Sequence, residues 1–448
     1  MHYHNALEAV HSAALPLGSG MRDYDRLLEL AGERSFVLLG EATHGSHEFY
    51  QMRAEISRRL IEEKGFDAIV VEADWPDAYR LNRHVKGDGD LEAIDAFKDF
   101  QRFPTWMWRN RVVLDFIVWL RGHNVQKNQS AQVGFYGMDL YSLYRSADAV
   151  TNYLERVDPE QATVARSVYA SLDDVRDPQD YGYQVASGLR PSSRDAAENL
   201  LIDLVRNAPA YLSMDGRVAE EEQFFAERNA YVVLNAEQYY RAMFTGRVNT
   251  WNLRDAHMVN TLFALRQHLR SSGRSGKLVV WAHNSHLGDA RATQMSERGE
   301  WNVGQLMRQQ AGANEVFLLG FTTYTGEVTA ARDWDGPAER RWLRPARKDS
   351  VEHFFYSSHR DRFFLHFDVE MTRALHEPLL ERAVGVIYRP DSEYASHYFR
   401  ADIAQQFDAV FHLDETSALE PLDPTDLWHA GESLESSCQV SNNLKSPC

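Results

Sequence analysis

The most informative part of this sequence is Val37-Leu38-Leu39-Gly40-Glu41-Ala42-Thr43-His44-Gly45-Ser46-His47. Here a short apolar run passes directly into a loop that carries a carboxylate, two histidines and two glycines. A continuous apolar run is typical of a strand buried on both faces of a parallel sheet. Ligands of open parallel sheets bind beyond the carboxyl ends of the strands. The stretch therefore predicts an α/β protein with reactive side chains at one edge of its sheet.

The same pattern recurs at three later apolar runs, each followed at once by titratable side chains. These are 67–71 before Glu72 and Asp74, 133–138 before Asp139, and 277–282 before His283 and His286. Further strand-like runs occupy 315–321, 383–388 and, more weakly, 407–412, whereas 145–272 is charge-rich with helical spacing. The sequence predicts an α/β fold with a mostly parallel central sheet flanked by helices and a large helical insertion. We expect residues 1–145 and 276–415 to form the two halves of the α/β core, 146–275 to be a helical insertion that forms the substrate cleft, and 416–448 to be a disordered tail.

Composition excludes several classes of protein. The formal net charge of −17, with no basic block, argues against binding to nucleic acid. No apolar run is long enough to cross a membrane, and the N-terminus lacks the pattern of a signal peptide, so we expect a cytoplasmic protein without a membrane partner. The two cysteines, Cys438 and Cys448, lie in a Ser/Asn-rich stretch, which argues against cysteine catalysis. Nucleophile-elbow, phosphate-loop and complete dinucleotide-binding motifs are also missing from the sequence.

The strand-end residues suggest general acid–base chemistry. A neutral histidine at position 44 could take a proton from water near neutral pH. Glu41 and Glu72 could orient that imidazole or the water, and His283 and His286 could donate hydrogen bonds to an oxyanion. Any one of these residues alone is more commonly a helix cap or a rim ion pair, but their equivalent positions favour a shared site.

Three further polar residues are candidates with competing interpretations. Arg53, on the helix after His44, and Arg254, on a later helix, could bind a substrate carbonyl or position the carboxylates, although helix arginines are usually solvated. Asp74 could bind substrate, although its place before Trp75-Pro76 also fits a helix start. The histidines and glutamates could instead hold zinc or iron, but a His-x-x-His pair in a loop is a weak metal signal.

Four motifs together resemble the erythromycin esterase family: Gly40-Glu41-Ala42-Thr43-His44-Gly45, Val71-Glu72-Ala73-Asp74-Trp75, Arg254-Asp255-x-x-Met258 and His283-Asn284-x-His286. The resemblance covers residues 30–415. It implies a hydrolase that opens the lactone ester of macrolide antibiotics, and hence antibiotic resistance, without metal or cofactor. It also implies that His44 is the general base and that Glu41, Arg53, Glu72, His283 and His286 surround the activated water.

The sequence thus predicts an ester hydrolase with a small-molecule substrate, by resemblance a macrolide, in which His44 activates water and no acyl-enzyme forms. Two alternatives remain. The same side chains could bind metal in a metallohydrolase, or the protein could be a non-catalytic binder of a small ligand or haem.

Overall fold

The structure is a computed structural model that describes residues 2–18, 20–89, 92–173, 177–212, 217–244 and 246–432. Its strands are β1 Leu15–Pro16, β2 Phe36–Leu39, β3 Ala68–Asp74, β4 Gly134–Asp139, β5 Leu278–Trp281, β6 Val316–Ala330, β7 Glu339–Leu343, β8 Arg362–His366, β9 Leu379–Arg382, β10 Tyr398–Ala401 and β11 Ala409–Thr416. Nine of them form a central sheet with the order β1-β8-β11-β6-β2-β5-β3-β4, in which β7 pairs with the far end of β6. A separate two-stranded sheet contains β9 and β10.

The six consecutive strands from β11 to β4 are all parallel to one another. The antiparallel pairs of this sheet are β1 with β8, β8 with β11, and β7 with β6. In β2 every residue is buried, with Val37 and Leu39 in the core on one face and Phe36 and Leu38 in the core on the other. This two-sided burial explains the continuous apolar run, and the predicted mostly parallel sheet flanked by helices is confirmed.

Helices cover both faces of the sheet. Those outside the interval between β4 and β5 are His2–Ala13, Asp25–Ala31, His47–Lys64, Trp75–Val85, Arg111–Val125, Asn284–Leu287, Gln294–Glu297, Val303–Ala311, Val351–Tyr356, Val369–Ala374, Glu393–Ser396, Ile403–Gln406 and Asp426–Ala430. Short 3-10 helices occupy Met21–Tyr24, Ala93–Phe97, Thr105–Met107, Gln129–Ala131, Ala290–Ala292 and Pro390–Ser392.

Between β4 and β5 the described residues form helices and no strand. The helices are Leu143–Val157, Pro159–Asp173, Pro178–Ala186, Arg194–Leu212, Arg217–Ala242 and Arg247–Ser271. Most of them pack around a third apolar core of their own, built from residues such as Leu154, Leu200 and Val233. The last helix also carries Met258 and Leu262 into the core on one face of the sheet. In this way Arg247–Ser271 brings polar side chains from the helical segment to the sheet.

Two sequence expectations are wrong. Residues 383–388 do not form a strand; they are an extended segment that makes isolated bridges, Val384 with Thr43 and Ile387 with Ala331. Residues 417–432 are not disordered, because Leu419 is fully buried and Trp428 donates a hydrogen bond of 2.8 Å to Thr329. The polar composition that predicted disorder belongs to 433–448, which lie outside the described residues.

Candidate active site

The carboxyl ends of four adjacent strands form the candidate site. In the order β2-β5-β3-β4, the segment after β2 supplies Glu41 and His44, and the segment after β5 supplies His283 and His286. Glu72 lies close to the end of β3, and Asp139 is the last residue of β4. The rings of His44 and His283 are 4.9 Å apart between centroids. The sequence placed these residues at strand ends, and the sheet brings them to one cleft.

Glu41, His44 and Arg53 form a buried chain of polar contacts. Nδ1 of His44 donates to Oε1 of Glu41 at 2.9 Å, and Nη2 of Arg53 donates to Oε2 of the same carboxylate at 2.7 Å. Arg53 is fully buried and lies over the rings of Tyr50 and Trp281. Because Glu41 engages Nδ1, Nε2 is the ring nitrogen of His44 that remains for a molecule in the cleft.

Arg254 joins three other parts of the site. Its Nη2 donates to Oε1 of Glu72 at 2.6 Å and to Asp139 at 2.7 Å, while Nε donates to Asp139 at 3.0 Å. Its Nη1 lies 3.1 Å from Nε2 of His286. Burial alone would raise the pKa values of both carboxyl groups, but the positive charges of His286 and Arg254 lower the pKa of Glu72, and that of Arg254 lowers the pKa of Asp139. Both groups are therefore carboxylates at neutral pH.

Burial and neighbouring charges shift the pKa of His286 in opposite directions. Burial alone would lower its pKa, but the carboxylates of Asp255 and Glu72 outweigh burial and raise it. Nδ1 of His286 is 2.9 Å from Oδ1 of Asp255. Burial raises the pKa of Asp255, although the charge of His286 opposes this shift. The indole of Trp251 stacks on the imidazole with 4.5 Å between ring centroids and 6° between planes. Asp255 and Trp251 thus fix the orientation of the ring and favour its charged form.

His283 uses both of its ring nitrogens inside the protein. Nε2 donates to the carbonyl of Ala42 at 3.2 Å, and Nδ1 accepts from the backbone N–H of Ser285. Its own backbone N–H donates to Oε2 of Glu72 at 3.0 Å. Burial lowers the pKa of His283 well below its ordinary value, so the ring is neutral. His283 therefore holds Glu72 and the His44 loop in place.

These groups line a cleft of about 430 Å³, within the usual range for small-molecule sites. Its inner part carries His44, Glu72, Asp139, Arg254, His283 and His286. Its outer walls come mainly from residues 100–108, 295–300 and 383–399, with Trp334 from the β6–β7 turn. From the helical segment, Trp251 and Arg254 reach the cleft.

The predicted site residues fall into two groups. His44, Glu72, Asp74, Arg254, His283 and His286 line the cleft, whereas Glu41 and Arg53 lie behind it. Arg53 is neither solvated nor placed to touch a substrate, because its guanidinium is buried against Glu41. Asp74 accepts hydrogen bonds from Nε of Arg102 at 2.9 Å and from the backbone N–H of Tyr141 at 3.0 Å, so its carboxylate is already engaged.

Sequence reasoning gave no role to Asp139, Trp251 or Asp255. Asp139 had a usable signal, because it ends a strand in the same way as Glu72. Trp251 had only a spacing signal, whereas Asp255 also stands in the Arg254-Asp255-x-x-Met258 motif. Both lie on the helix of Arg254, within four residues of one another, so they can face one site.

The comparisons with known proteins agree with this architecture. The chain is 21% identical over 419 residues to erythromycin esterase type II of Escherichia coli, which covers 89% of this chain and 93% of that protein. A shorter match, 27% identical over 136 residues, is to the putative hydrolase YbfO of Bacillus subtilis strain 168 and covers 30% of this chain and 28% of that protein.

Three solved structures share the fold. A Bacillus cereus protein matches with a TM-score of 0.77 at 20% identity, over 94% of this chain and 99% of that one. A succinoglycan biosynthesis protein gives 0.74 at 20% identity with the same coverage. A mutant of the erythromycin esterase EreC in its open conformation gives 0.66 at 17% identity, over 91% and 97%. The sequence model of the erythromycin esterase family matches residues 61–416, and this chain therefore belongs to the erythromycin esterase family.

Proposed function

We propose that this protein hydrolyses a carboxylic ester by general-base activation of water, with His44 as the base. The observation that carries the proposal is the hydrogen bond from Nδ1 of His44 to Glu41, which is itself held by Arg53. A carboxylate at Nδ1 fixes the tautomer with the lone pair on Nε2 and stabilises the imidazolium that forms when the base takes a proton. Glu41 and Arg53 then act through His44 and do not touch the substrate.

The cleft also supplies positive charge for an oxyanion. Arg254 and His286 are the cationic groups that line its inner part, and both are held by carboxylates. Fixed positive groups that face the position of developing charge stabilise the tetrahedral intermediate of acyl transfer. In this proposal Glu72 orients the attacking water and the neutral ring of His283 keeps Glu72 in place. Asp74 contributes to substrate binding by holding Arg102, which lines the cleft beside it.

The hydrogen bonds of the site support a reaction without metal or cofactor. Nδ1 of His44, both ring nitrogens of His283 and Nδ1 of His286 are each engaged by protein groups. The guanidinium of Arg254 occupies the place between Glu72, Asp139 and His286 that a metal cation would need. Within the described residues no three His, Cys, Asp or Glu side chains are arranged to hold a metal ion.

For the substrate we propose the macrolactone ester of an erythromycin-type antibiotic, because of the similarity to erythromycin esterase type II and to EreC. A small molecule, and not a nucleic acid or a membrane, fits a cleft of this size, and no described helix is long and apolar enough to cross a bilayer. In this proposal the enzyme works in the cytoplasm, and the helical segment 146–275 contributes to substrate selection through Trp251 and the helix that carries it.

The test is incubation of the purified protein with a panel of macrolides and simple aryl esters, followed by mass detection of one added water. We expect the wild-type protein to add water to at least one macrolide and the His44→Asn variant to do so about 10²–10⁴-fold more slowly. Turnover of simple esters alone would support the chemistry and exclude the macrolide substrate. Absence of turnover on any ester would contradict the proposed function.

A further inference from the structure

Asn284, between His283 and His286 in sequence, joins the loops that carry the site. Its backbone N–H donates to the carbonyl of Glu41 at 2.8 Å, which ties it to the His44 loop. Its side-chain Nδ2 donates to the carbonyl of Phe321 at 2.8 Å, and its Oδ1 accepts from the N–H of the same residue at 3.3 Å. Asn284 is fully buried and does not line the cleft.

Gly40 shows how closely Asn284 packs against the His44 loop. A Cβ atom at position 40 would lie 2.1 Å from Oδ1 of Asn284 and 3.1 Å from the carbonyl oxygen of Leu319. Only glycine therefore fits at position 40 while the Asn284 side chain keeps its place. The spacing between the two histidine loops depends on this contact.

Glu381 extends the same connection to the wall of the cleft. Its Oε1 accepts from Nδ2 of Asn284 at 3.2 Å, and the side chain is fully buried near the end of β9. Two residues later the chain enters the cleft wall, where the N–H of Val384 donates to the carbonyl of Ala42 at 2.8 Å and the N–H of His44 donates to the carbonyl of Val384 at 3.1 Å. One carboxyl group and one amide thus connect both histidine loops with the segment 383–386.

We propose that Asn284 and Glu381 are positioning residues that hold the His44 loop, the His283–His286 loop and the cleft wall at 383–386 in one arrangement. The kinetic consequences of this inference rest on the proposed function, whereas the structural connection between the loops does not depend on it. Neither residue touches the substrate. Both act through the distance between His44 and the groups around Glu72 and Arg254.

The surroundings of Glu381 favour its neutral form. Burial and the nearby carboxyl group of Glu352 raise the pKa of Glu381 to about 8, and the amides of Gln406 and Asn284 oppose that shift. Glu352 lies on the helix Val351–Tyr356, and burial raises its pKa as well. The cations near Glu381 do not neutralise it. Arg382, next along β9, directs its guanidinium to Tyr398 and Glu393, and Arg400 on the paired strand is exposed.

Ionisation of Glu381 would place a second negative charge beside Glu352 in a closed space, and the connection to Asn284 would loosen. Since the pKa of Glu381 is raised in the folded protein, its proton favours folding. The proton makes its full contribution to the free energy of unfolding below the unfolded-state pKa of about 4.3. This contribution then declines with rising pH and is lost as the pH rises through about 8, the pKa in the folded protein. The substitution Glu381→Gln keeps the shape of the neutral acid and removes the titration.

Two measurements on the full chain test this proposal, with Glu415→Gln as a control because Glu415 is exposed. Thermal unfolding needs no substrate. Between about pH 5 and about pH 8 we expect the midpoint temperature of unfolding of the wild type to fall relative to that of Glu381→Gln, and the control to follow the wild type.

The second measurement is the pH dependence of kcat. On an ester that the wild type hydrolyses, we expect a loss of kcat at alkaline pH that Glu381→Gln lacks. Asn284→Ala should lower kcat by about 10²-fold, the effect of small misplacement, with little change in KM.

Identical pH dependence of unfolding in the wild type and Glu381→Gln would overturn the role of Glu381. Wild-type kcat in a folded Asn284→Ala variant would overturn the role of Asn284. If no ester is hydrolysed at any pH but the unfolding difference is present, the proposed function fails and the structural connection stands. If Asn284→Ala does not fold, Glu381→Gln still decides the proposal, since that substitution adds no charge and no bulk.

Discussion

The substitution Glu41→Gln separates the catalytic effect of the Glu41–His44 hydrogen bond from its structural effect. Glutamine keeps the shape of the side chain, but its amide can donate a hydrogen bond to Nδ1 of His44. That bond would favour the tautomer with the proton on Nε2, which is the wrong one for a base. The same kind of change in the Ser-His-Asp triad lowers kcat by about 10⁴-fold, and we expect a loss of that order here.

The structural effect comes from Arg53, which has no other ion-pair partner among the described residues than Glu41. Removing one partner of a buried ion pair costs about 3–5 kcal/mol. We expect a loss of unfolding free energy near the lower end, about 3 kcal/mol. The reasons are that the glutamine oxygen can still accept from Nη2 and that the rings of Tyr50 and Trp281 still face the cation, 4.2 and 5.3 Å from it.

The double variant Glu41→Gln/Arg53→Met completes the test. Methionine removes the unpaired charge, so denaturant unfolding should show recovery of most of the lost stability. The value of kcat should stay low, because the tautomer of His44 is still wrong. The reasoning is refuted if kcat recovers together with stability, since Glu41 would then matter only for folding. It is also refuted if Glu41→Gln alone retains more than about a tenth of wild-type kcat.

Four further predictions concern the base, the metal, the intermediate and the C-terminal segment. His44→Asn should lower kcat by about 10²–10⁴-fold with an unchanged unfolding midpoint, and near-normal turnover would show that another group is the base. Activity should survive exhaustive chelation; loss with EDTA and recovery with zinc would identify a metallohydrolase. In a single turnover in water labelled with heavy oxygen, the label should enter the product, whereas label on a protein carboxylate would reveal direct attack by Glu41 or Glu72. Ending the chain after residue 432 should leave unfolding and turnover unchanged, but ending it at 416 should destabilise the protein because Leu419 and Trp428 are lost from the body; equal stability of the two truncations would contradict the packing of this segment.

The sequence predicted the sheet and the edge at which the polar residues meet, because both depend on local patterns. A strand segment buried on both faces is apolar, and β2, β5 and residues 68–71 of β3 are such segments. The same rule wrongly predicted a strand at 383–388. It is apolar because Val384 and Tyr388 pack in a small core with Val328 and Leu343, and not because it pairs along its length in the sheet.

The composition of the C-terminal region misled prediction for a different reason. Averaged over 416–448, the abundance of serine and asparagine hides the few apolar residues that matter. Leu419 is buried and Leu422 packs against the main core. The carboxylate of Glu432 accepts hydrogen bonds from Arg341 and from the backbone of Trp342, which lies on β7. Burial of a segment against distant strands depends on tertiary contacts that composition does not record.

The roles of the three histidines could not be separated by sequence, because two similar His-x-x-His stretches supply them. Their differences arise from the partner of each ring. Glu41 engages Nδ1 of His44 and leaves Nε2 for the cleft, whereas backbone groups of Ala42 and Ser285 occupy both nitrogens of His283. Asp255 engages His286, and the surrounding carboxylates raise its pKa.

Arg254 allows the carboxylates and histidines of the site to lie close together in one small cleft. Glu72 and Asp139 would repel each other if the guanidinium did not lie between them, 2.6 and 2.7 Å from their oxygens. The same guanidinium lies 3.1 Å from Nε2 of His286, so it limits how far that ring can hold a proton of its own. A proton that leaves His286 would strengthen the contact with Arg254, and a proton that arrives would strengthen the contact with Glu72. The site therefore holds His44 with one ring nitrogen left for the cleft and His286 between carboxylates and a guanidinium, and the proposed hydrolysis uses the first as a base and the second as a cation.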